Sequence, residues 1–259
     1  MTPDQHRGRL RQVKIAVAGG TGVVGSALVE VLQASGHEVV VLARAAGVDL
    51  VTGSGLEHSL DGVEAVVDVL SIGTSSAGAA TEFFTTTTRT LLEAGYAAGV
   101  RHHVLLSIVG IDDIPFGYYV GKVAQEHAVE DGKVPFTILR ATQFHEFAAQ
   151  MIERAPSVGP LLVVPQMTSA PIAASEVAAE LARIASGVPQ GRVPDLRGPR
   201  EEKVPSMTRR VLRQRGSRRP VLTAFLPGKA GAGMRNGGLV PGEGATVGRQ
   251  TFDEWLAQQ

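Results

Sequence analysis

Two rhythms of hydrophobic and polar residues alternate along the first half of the chain. Short unbroken apolar runs, rich in Val, Ile and Leu, fall at 13–20 (VKIAVAGG), 37–44 (HEVVVLAR), 65–71 (AVVDVLS), 101–110 (RHHVLLSIVG) and 135–142 (PFTILRAT). Helical patterns lie between them: GSALVEVLQASG, closed by Gly36, then TTTTRTLLEAGYAAG and YYVGKVAQEHAVEDG. Apolar runs bounded by turns and separated by helices predict a parallel sheet buried on both faces. The predicted fold class is α/β, with a doubly wound parallel sheet.

After residue 147 the rhythm weakens. LLVVPQMTSAPIAASEVAAELARIAS offers a short strand, a proline-rich turn and a helix. Residues 197–219 are strongly basic, and residues 228–248 hold eight glycines, which reads as a flexible loop or lid. In the tail TFDEWLAQQ, Phe252, Trp255 and Leu256 share one helical face, the pattern of a docked terminal helix. The expected organisation is a flexible leader over 1–12, a nucleotide-binding unit over 13–147, and a small irregular substrate lobe over 148–259 packed against it.

Composition narrows the classes. Hydrophobic residues make up 44% and charged residues 19%, as in a folded globular chain, and the formal net charge is zero. No overall field draws the chain to nucleic acid or an anionic membrane. The absence of cysteine removes disulfides, thiol catalysis and thiolate metal sites, and fits a reducing, cytoplasmic setting. No apolar run has the roughly 18 residues of a membrane helix, and the polar opening has no signal-peptide core.

Chemistry begins at VAGGTGVVG, where Gly19, Gly22 and Gly25 follow the first strand and open the first helix. Glycines there let the backbone approach a pyrophosphate, and the helix amides favour its charge. Thr21, Val23 and Val24 complete that turn. The second strand ends at Arg44, where a guanidinium suits a ribose 2′-phosphate and an acid would select the free hydroxyl. The expected cofactor is NADP(H).

AGGTGVVG, Arg44 and the later YxxxK resemble the short-chain dehydrogenase/reductase superfamily, closest to its atypical NmrA-like, NAD(P)H-binding branch. The resemblance covers about 13–147, and RQTFDEWLA is similar to the tail of bacterial members. It implies a Rossmann-type fold and carries further residues. A short third strand, mapped to Asp49 and Leu50, would face the adenine. The end of the fourth strand, with Leu70, Ser71, Ile72 and Gly73, would line the riboses. Thr142, Gln143 and Phe144, after the sixth strand, would pass beside the nicotinamide.

The resemblance also implies a catalytic group. In enzymatic members a YxxxK tyrosine protonates a substrate carbonyl, and its lysine lowers the phenol pKa and holds the nicotinamide ribose. Ser107, Tyr118 and Lys122 occupy the matching positions, with Lys122 also a cofactor ligand and Tyr119 on the substrate side or in the core. The fourth member of that group, an asparagine, has no counterpart, because Asn236 is the only asparagine in the chain. Some relatives bind NADP(H) as non-catalytic sensors, and a nucleotide-sugar epimerase is a further alternative. His145, in TQFHEF, is a second candidate proton donor or else a packed residue, and Glu146 beside it reads as exposed. His102 and His103 read as a surface turn, and no metal site is expected.

The arginines of PSMTRRVLRQRGSRRP lack interleaved aromatics and read as a solvated helix face rather than a nucleic-acid site. The expected protein is an NADPH-dependent oxidoreductase acting on a small carbonyl or quinone-like molecule, with Tyr118 as proton donor. Its expected partner is a small-molecule substrate, and a homodimer is compatible with the sequence.

Overall fold

The computed structural model describes residues 12–259; the leader expected over 1–12 lies, except for Gln12, outside them. The first unit runs β1 Lys14–Ala18, α1 Val23–Ala34, β2 Glu38–Leu42, α2 Leu56–Ser59, β3 Ala65–Asp68, α3 Ala77–Ala97, β4 His102–Ile108, α4 Gly117–Glu130 and β5 Phe136–Ala141. The chain continues through α5 Phe147–Arg154, β6 Ser157–Val158, β7 Leu161–Pro165, β8 Thr168–Ser169, α6 Ala174–Ala185, β9 Gly191–Arg192 and β10 Leu196–Arg197. It closes with β11 Glu202–Lys203, α7 Val204–Gln214, β12 Val221–Ala224, α8 Gly228–Arg235, β13 Thr246–Val247 and α9 Phe252–Leu256.

Among the described residues the main sheet has eight strands in the order β13-β10-β5-β4-β3-β1-β2, with β9 also paired to β5. Its pairings are parallel, for example Ala18 with Asp68 and Ser107 with Arg140. One face packs Leu28 and Leu32 of α1 and Val177 and Leu181 of α6 against Val17 and Val104. The other packs Leu91, Leu92 and Val129 of α3 and α4 against Val66, Leu105 and Ile138. Burial on both faces is why these strands are continuous apolar runs. The chain leaves in opposite directions from β1 and β3, which lie side by side, so their C-terminal ends frame a topological switch point, where sheets of this kind bind ligands.

Residues beyond 147 divide between two layers. α6, β9, β10 and β13 complete the sheet layer. β7, α7 and the α8 region build a second core in which Leu162, Val164, Met167, Leu212, Met234 and Leu239 meet Ile111, Ile114 and Tyr119. That core therefore rests directly on the loop and first turn that open α4. At the end of the chain, Thr251 and Glu254 form a reciprocal cap on α9, and Phe252 and Trp255 are buried as their helical spacing predicts.

Several local expectations are corrected. Asp49 and Leu50 form a turn rather than a strand, because Asp49 Oδ1 accepts from the amides of Val51 at 2.8 Å and Thr52 at 3.3 Å. β2 is consequently the sheet edge, and the strands after it number one fewer than expected. His102 and His103 are no surface turn; they open β4 and are buried, His102 sharing a 2.8 Å hydrogen bond with Thr137 Oγ1. Burial pushes His103 down to about 4, so it stays neutral at physiological pH. The glycine-rich segment 228–248 contains α8 and β13 instead of an open loop. In α7, Val204, Met207 and Val211 are buried, and Arg210 bridges Glu202 at 2.5 Å and Asp253 at 2.6 Å. Among the described residues no helix is long and apolar enough to cross a membrane.

Candidate nucleotide site

The turn after β1 is shaped by contacts that only glycine permits. Gly19 has φ +85°, and a Cβ there would stand 2.8 Å from the Val69 carbonyl oxygen at the end of β3. A Cβ on Gly25 would stand 2.1 Å from the Gly19 oxygen, so α1 starts hard against its own turn. Gly22 caps α1 without a side-chain hydrogen bond, and no acid lies in the first turn. Among the described residues nothing accepts from the amides of Val23, Val24 and Gly25. A small-residue cradle below open helix amides fits a pyrophosphate. Arg44 follows β2 with an exposed guanidinium that makes no hydrogen bond or ion pair among the described residues, as a phosphate ligand requires.

The end of β3 lies against that cradle, since the Val69 amide donates to the Ala18 carbonyl at 2.9 Å. Two residues on, Ser71 and Tyr118 share a 3.0 Å hydrogen bond between their hydroxyls. The Tyr118 ring meets Phe84 edge-on at 5.5 Å and Tyr119 at 6.3 Å. Burial raises the Tyr118 phenol above its ordinary value, the Ser71 bond opposes this and the Asp68 charge adds to it. Tyr118 therefore keeps its proton at neutral pH. Tyr119 is buried against Phe116, which raises its phenol further.

The structure does not draw Ser107, Tyr118 and Lys122 into one cluster. Tyr118 and Lys122 share α4, but the Lys122 ammonium turns inward. It donates to the Leu106 carbonyl at 2.8 Å and to Gln125 Oε1, and stands 4.9 Å from the centre of the Phe84 ring. Burial lowers it to about 8, against the upward pull of Asp68 and Glu126. Ser107 lies on the sheet face that α4 covers, beside Glu126. Glu126 is held by Arg140 through Nε at 2.8 Å and Nη2 at 2.6 Å, and by Arg192 at 2.7 Å. Burial would raise that carboxyl, but Arg140, Ser107 and Arg192 together keep it below its ordinary value.

His145 is fully buried beneath the last helix. Its Nε2 donates to the Gln250 carbonyl at 3.1 Å, and its ring lies 5.8 Å from those of both Phe252 and Trp255. Burial lowers its pKa. Glu146 is half-buried rather than exposed, and burial raises its carboxyl. On the same loop, Thr142 Oγ1 donates to the Ala170 carbonyl, Ser169 Oγ donates to Gln143, and Phe144 pairs with Ile172. Leu70, Ile72 and Gly73 flank Ser71 on the β3 side.

Sequence reasoning missed Asp68, Thr88, Gln125 and Phe84. Asp68 had a visible signal, a charge inside the apolar run AVVDVLS. Thr88 and Gln125 carried none, being polar residues in patterns already read as amphipathic helices.

Comparisons with known proteins bear on the family and the fold. A family model described as NAD(P)H-binding matches residues 19–186. No curated protein matches the sequence. Among solved structures, the NADPH-dependent quinone oxidoreductase QOR2 of Escherichia coli, complexed with NADPH, is similar with a TM-score of 0.66 at 20% identity, over 94% of this chain and 99% of that one. MoeE5 in complex with UDP-glucuronic acid and NAD gives a TM-score of 0.70 at 18% identity, over 95% and 97%. Triphenylmethane reductase of Citrobacter sp., complexed with NADP(H), gives 0.67 at 15% identity, over 95% and 99%. At these identities the likeness is one of fold.

Proposed function

We propose that this chain, which belongs to the NAD(P)H-binding family, is an NADPH-dependent oxidoreductase that reduces a small quinone-like or related carbonyl acceptor. The observation that carries the reading is the Ser71–Tyr118 hydroxyl pair, which adjoins the glycine cradle through the end of β3. Gly19, Thr21, Gly22 and the amides of Val23, Val24 and Gly25 would hold the pyrophosphate. Arg44 would pair with the 2′-phosphate, which is what selects NADPH. Asp49 and Leu50 would face the adenine, residues 70–73 would line the riboses and residues 142–144 would pass beside the nicotinamide. When bound, the dihydronicotinamide supplies a hydride.

Tyr118 then holds the proton. Its raised pKa makes it a hydrogen-bond donor and a weak acid, and among the described residues no ammonium acts on it to change that. An acceptor whose reduced oxygen is stabilised by aromaticity needs only such a hydrogen bond during reduction, whereas a simple ketone would develop a strongly basic alkoxide. This chemistry favours a quinone-like acceptor.

The test is a fluorescence titration with NADPH and NADH, followed by a quinone and carbonyl panel on Tyr118→Phe. Loss of one hydrogen bond to the developing charge predicts a fall in quinone turnover of about 10- to 100-fold, with NADPH affinity nearly unchanged. Unchanged turnover removes tyrosine from the mechanism. Arg44→Ala is expected to weaken NADPH binding about tenfold and leave NADH binding alone. Tighter NADH than NADPH binding by the unaltered protein overturns the role of Arg44. The inward turn of Lys122 favours a second reading, a non-catalytic NADP(H) sensor, which predicts cofactor binding and no turnover of any acceptor.

A further inference from the structure

We infer that Asp68 is a positioning residue for the Ser71–Tyr118 pair, its buried charge balanced by Lys122 through Gln125. Asp68 ends β3 with no exposed surface. A bare carboxylate there would be very costly, so its hydrogen-bond partners decide what it does.

Those partners come from two directions. On the loop side, Asp68 Oδ1 accepts from the Leu70 amide at 3.0 Å. That bond fixes the backbone one residue before Ser71. On the helix side, Asp68 Oδ2 accepts from Thr88 Oγ1 of α3 at 3.2 Å and from Gln125 Nε2 of α4 at 3.0 Å. Gln125 Nε2 also donates to Thr88 Oγ1 at 3.0 Å, while its Oε1 accepts from the Lys122 ammonium. The Thr88 hydroxyl and both Gln125 amide bonds end on acceptors, and the two ends of the network are a carboxylate and an ammonium.

The same network reaches Tyr118 twice. Its hydroxyl bonds Ser71, which stands on the loop that Asp68 holds. Its ring packs on Phe84, the ring that Lys122 also faces. Among the described residues Asp68 and Lys122 make no hydrogen bond to the Ser71 or Tyr118 hydroxyl, so they act on the pair by holding its position, and the Asp68 charge also helps keep the Tyr118 phenol protonated.

This inference rests on the reading of Tyr118 as the group that meets the acceptor, and its test separates the two. Hydrogen exchange of residues 69–73, NADPH titration and steady-state kinetics are compared for the unaltered protein, Asp68→Asn, Lys122→Met and the double variant. Asp68→Asn is expected to raise exchange in 69–73 about tenfold, with β1 and β4 protection retained. Turnover falls by about tenfold or more through kcat, while the NADPH dissociation constant moves by less than about threefold. In the double variant neither charge is left alone, and turnover recovers severalfold over Asp68→Asn.

Unchanged exchange in 69–73 overturns the inference, as does a double variant whose losses simply multiply. So does weakened NADPH binding in Lys122→Met whatever stands at position 68, which would make Lys122 a cofactor ligand. If Asp68→Asn does not fold, Thr88→Val removes a single donor and the same exchange comparison decides. If the unaltered protein reduces no acceptor, the reductase reading fails, while exchange still reports whether Asp68 holds the Ser71 loop.

Discussion

Two segments of this protein are dense in glycine, and they put it to opposite uses. In residues 19–25 the turn folds tightly on itself, Gly25 against Gly19, and Gly19 also lies against Val69 just past the end of β3. The helix start is left with free amides on its outer side. Residues 228–248 also have close local contacts, Gly231 against Leu226 and Gly238 against Gly233, but they are pressed in addition onto the loop that leads into α4. A Cβ on Gly233 would stand 2.7 Å from Ile114 Cγ1, and one on Gly110 would stand 1.7 Å from the Gly238 oxygen. Here backbone fills the space beside the glycines, whereas the outer side of the first turn is left open, and α8 is clamped onto the loop leading into α4. Glycine density signals close approach; which partner approaches depends on what the fold brings alongside.

The largest effect that sharpens this contrast is expected at Gly25. Its added methyl in Gly25→Ala would meet backbone oxygen, which cannot swing aside, so NADPH affinity should fall about 100-fold or more in a fluorescence titration. Near-normal affinity would mean that the turn is not a cradle. Gly110→Ala comes next. Its φ of +72° and its clash with Gly238 should together lower unfolding free energy by roughly 2–4 kcal/mol, read from urea melts. In the surviving folded protein, NADPH affinity should change by less than about threefold. A folded Gly110→Ala that no longer binds NADPH would break the separation of the two segments.

The smallest effect lies between them, in α4. Lys122 has a folded value of about 8 against an ordinary 10.5. Within that window the unfolded chain binds a proton that the folded chain does not, so this residue's contribution to stability rises with pH. The contribution is complete above 10.5 and is lost as pH falls through 8. The stability difference between the unaltered protein and Lys122→Met should therefore shift in favour of the unaltered protein between pH 8 and 10.5, as followed by urea melts at each pH. A difference that does not move with pH would show that Lys122 is not buried as described.

The sheet was legible because strands buried on both faces are predominantly apolar, as VKIAV, AVVD and HVLLSI are despite Lys14, Asp68, His103 and Ser107. The glycine cradle was legible because strand, turn and helix are contiguous in sequence, so spacing alone fixes their geometry. The expected group of Ser107, Tyr118 and Lys122 was less so. Spacing puts Tyr118 and Lys122 on one stripe of α4, but a lysine is long enough to choose between cleft and core, and here the Leu106 carbonyl and Gln125 claim it. Ser107 shares strand parity with His103 and Leu105, which places it under α4. That parity becomes decisive only when the helix lying above each face is known. His102 and His103 were misread because histidine is commonly polar surface, whereas ladder pairing with Ala65 and Val66 draws both inside.

The order of strands in the main sheet has a consequence for how the chain reaches its native state. β5 is complete at residue 141, yet the strands that continue the sheet beyond it, β10 and β13, come from 196–197 and 246–247. Pairings of such long sequence separation carry a large loop-closure entropy and form late. During synthesis the nucleotide half can therefore assemble around β1 to β5 while one edge stays open, a surface prone to intermolecular pairing. Closure waits for residues 246–247, which makes β13 a determinant of folding yield as much as of the finished structure.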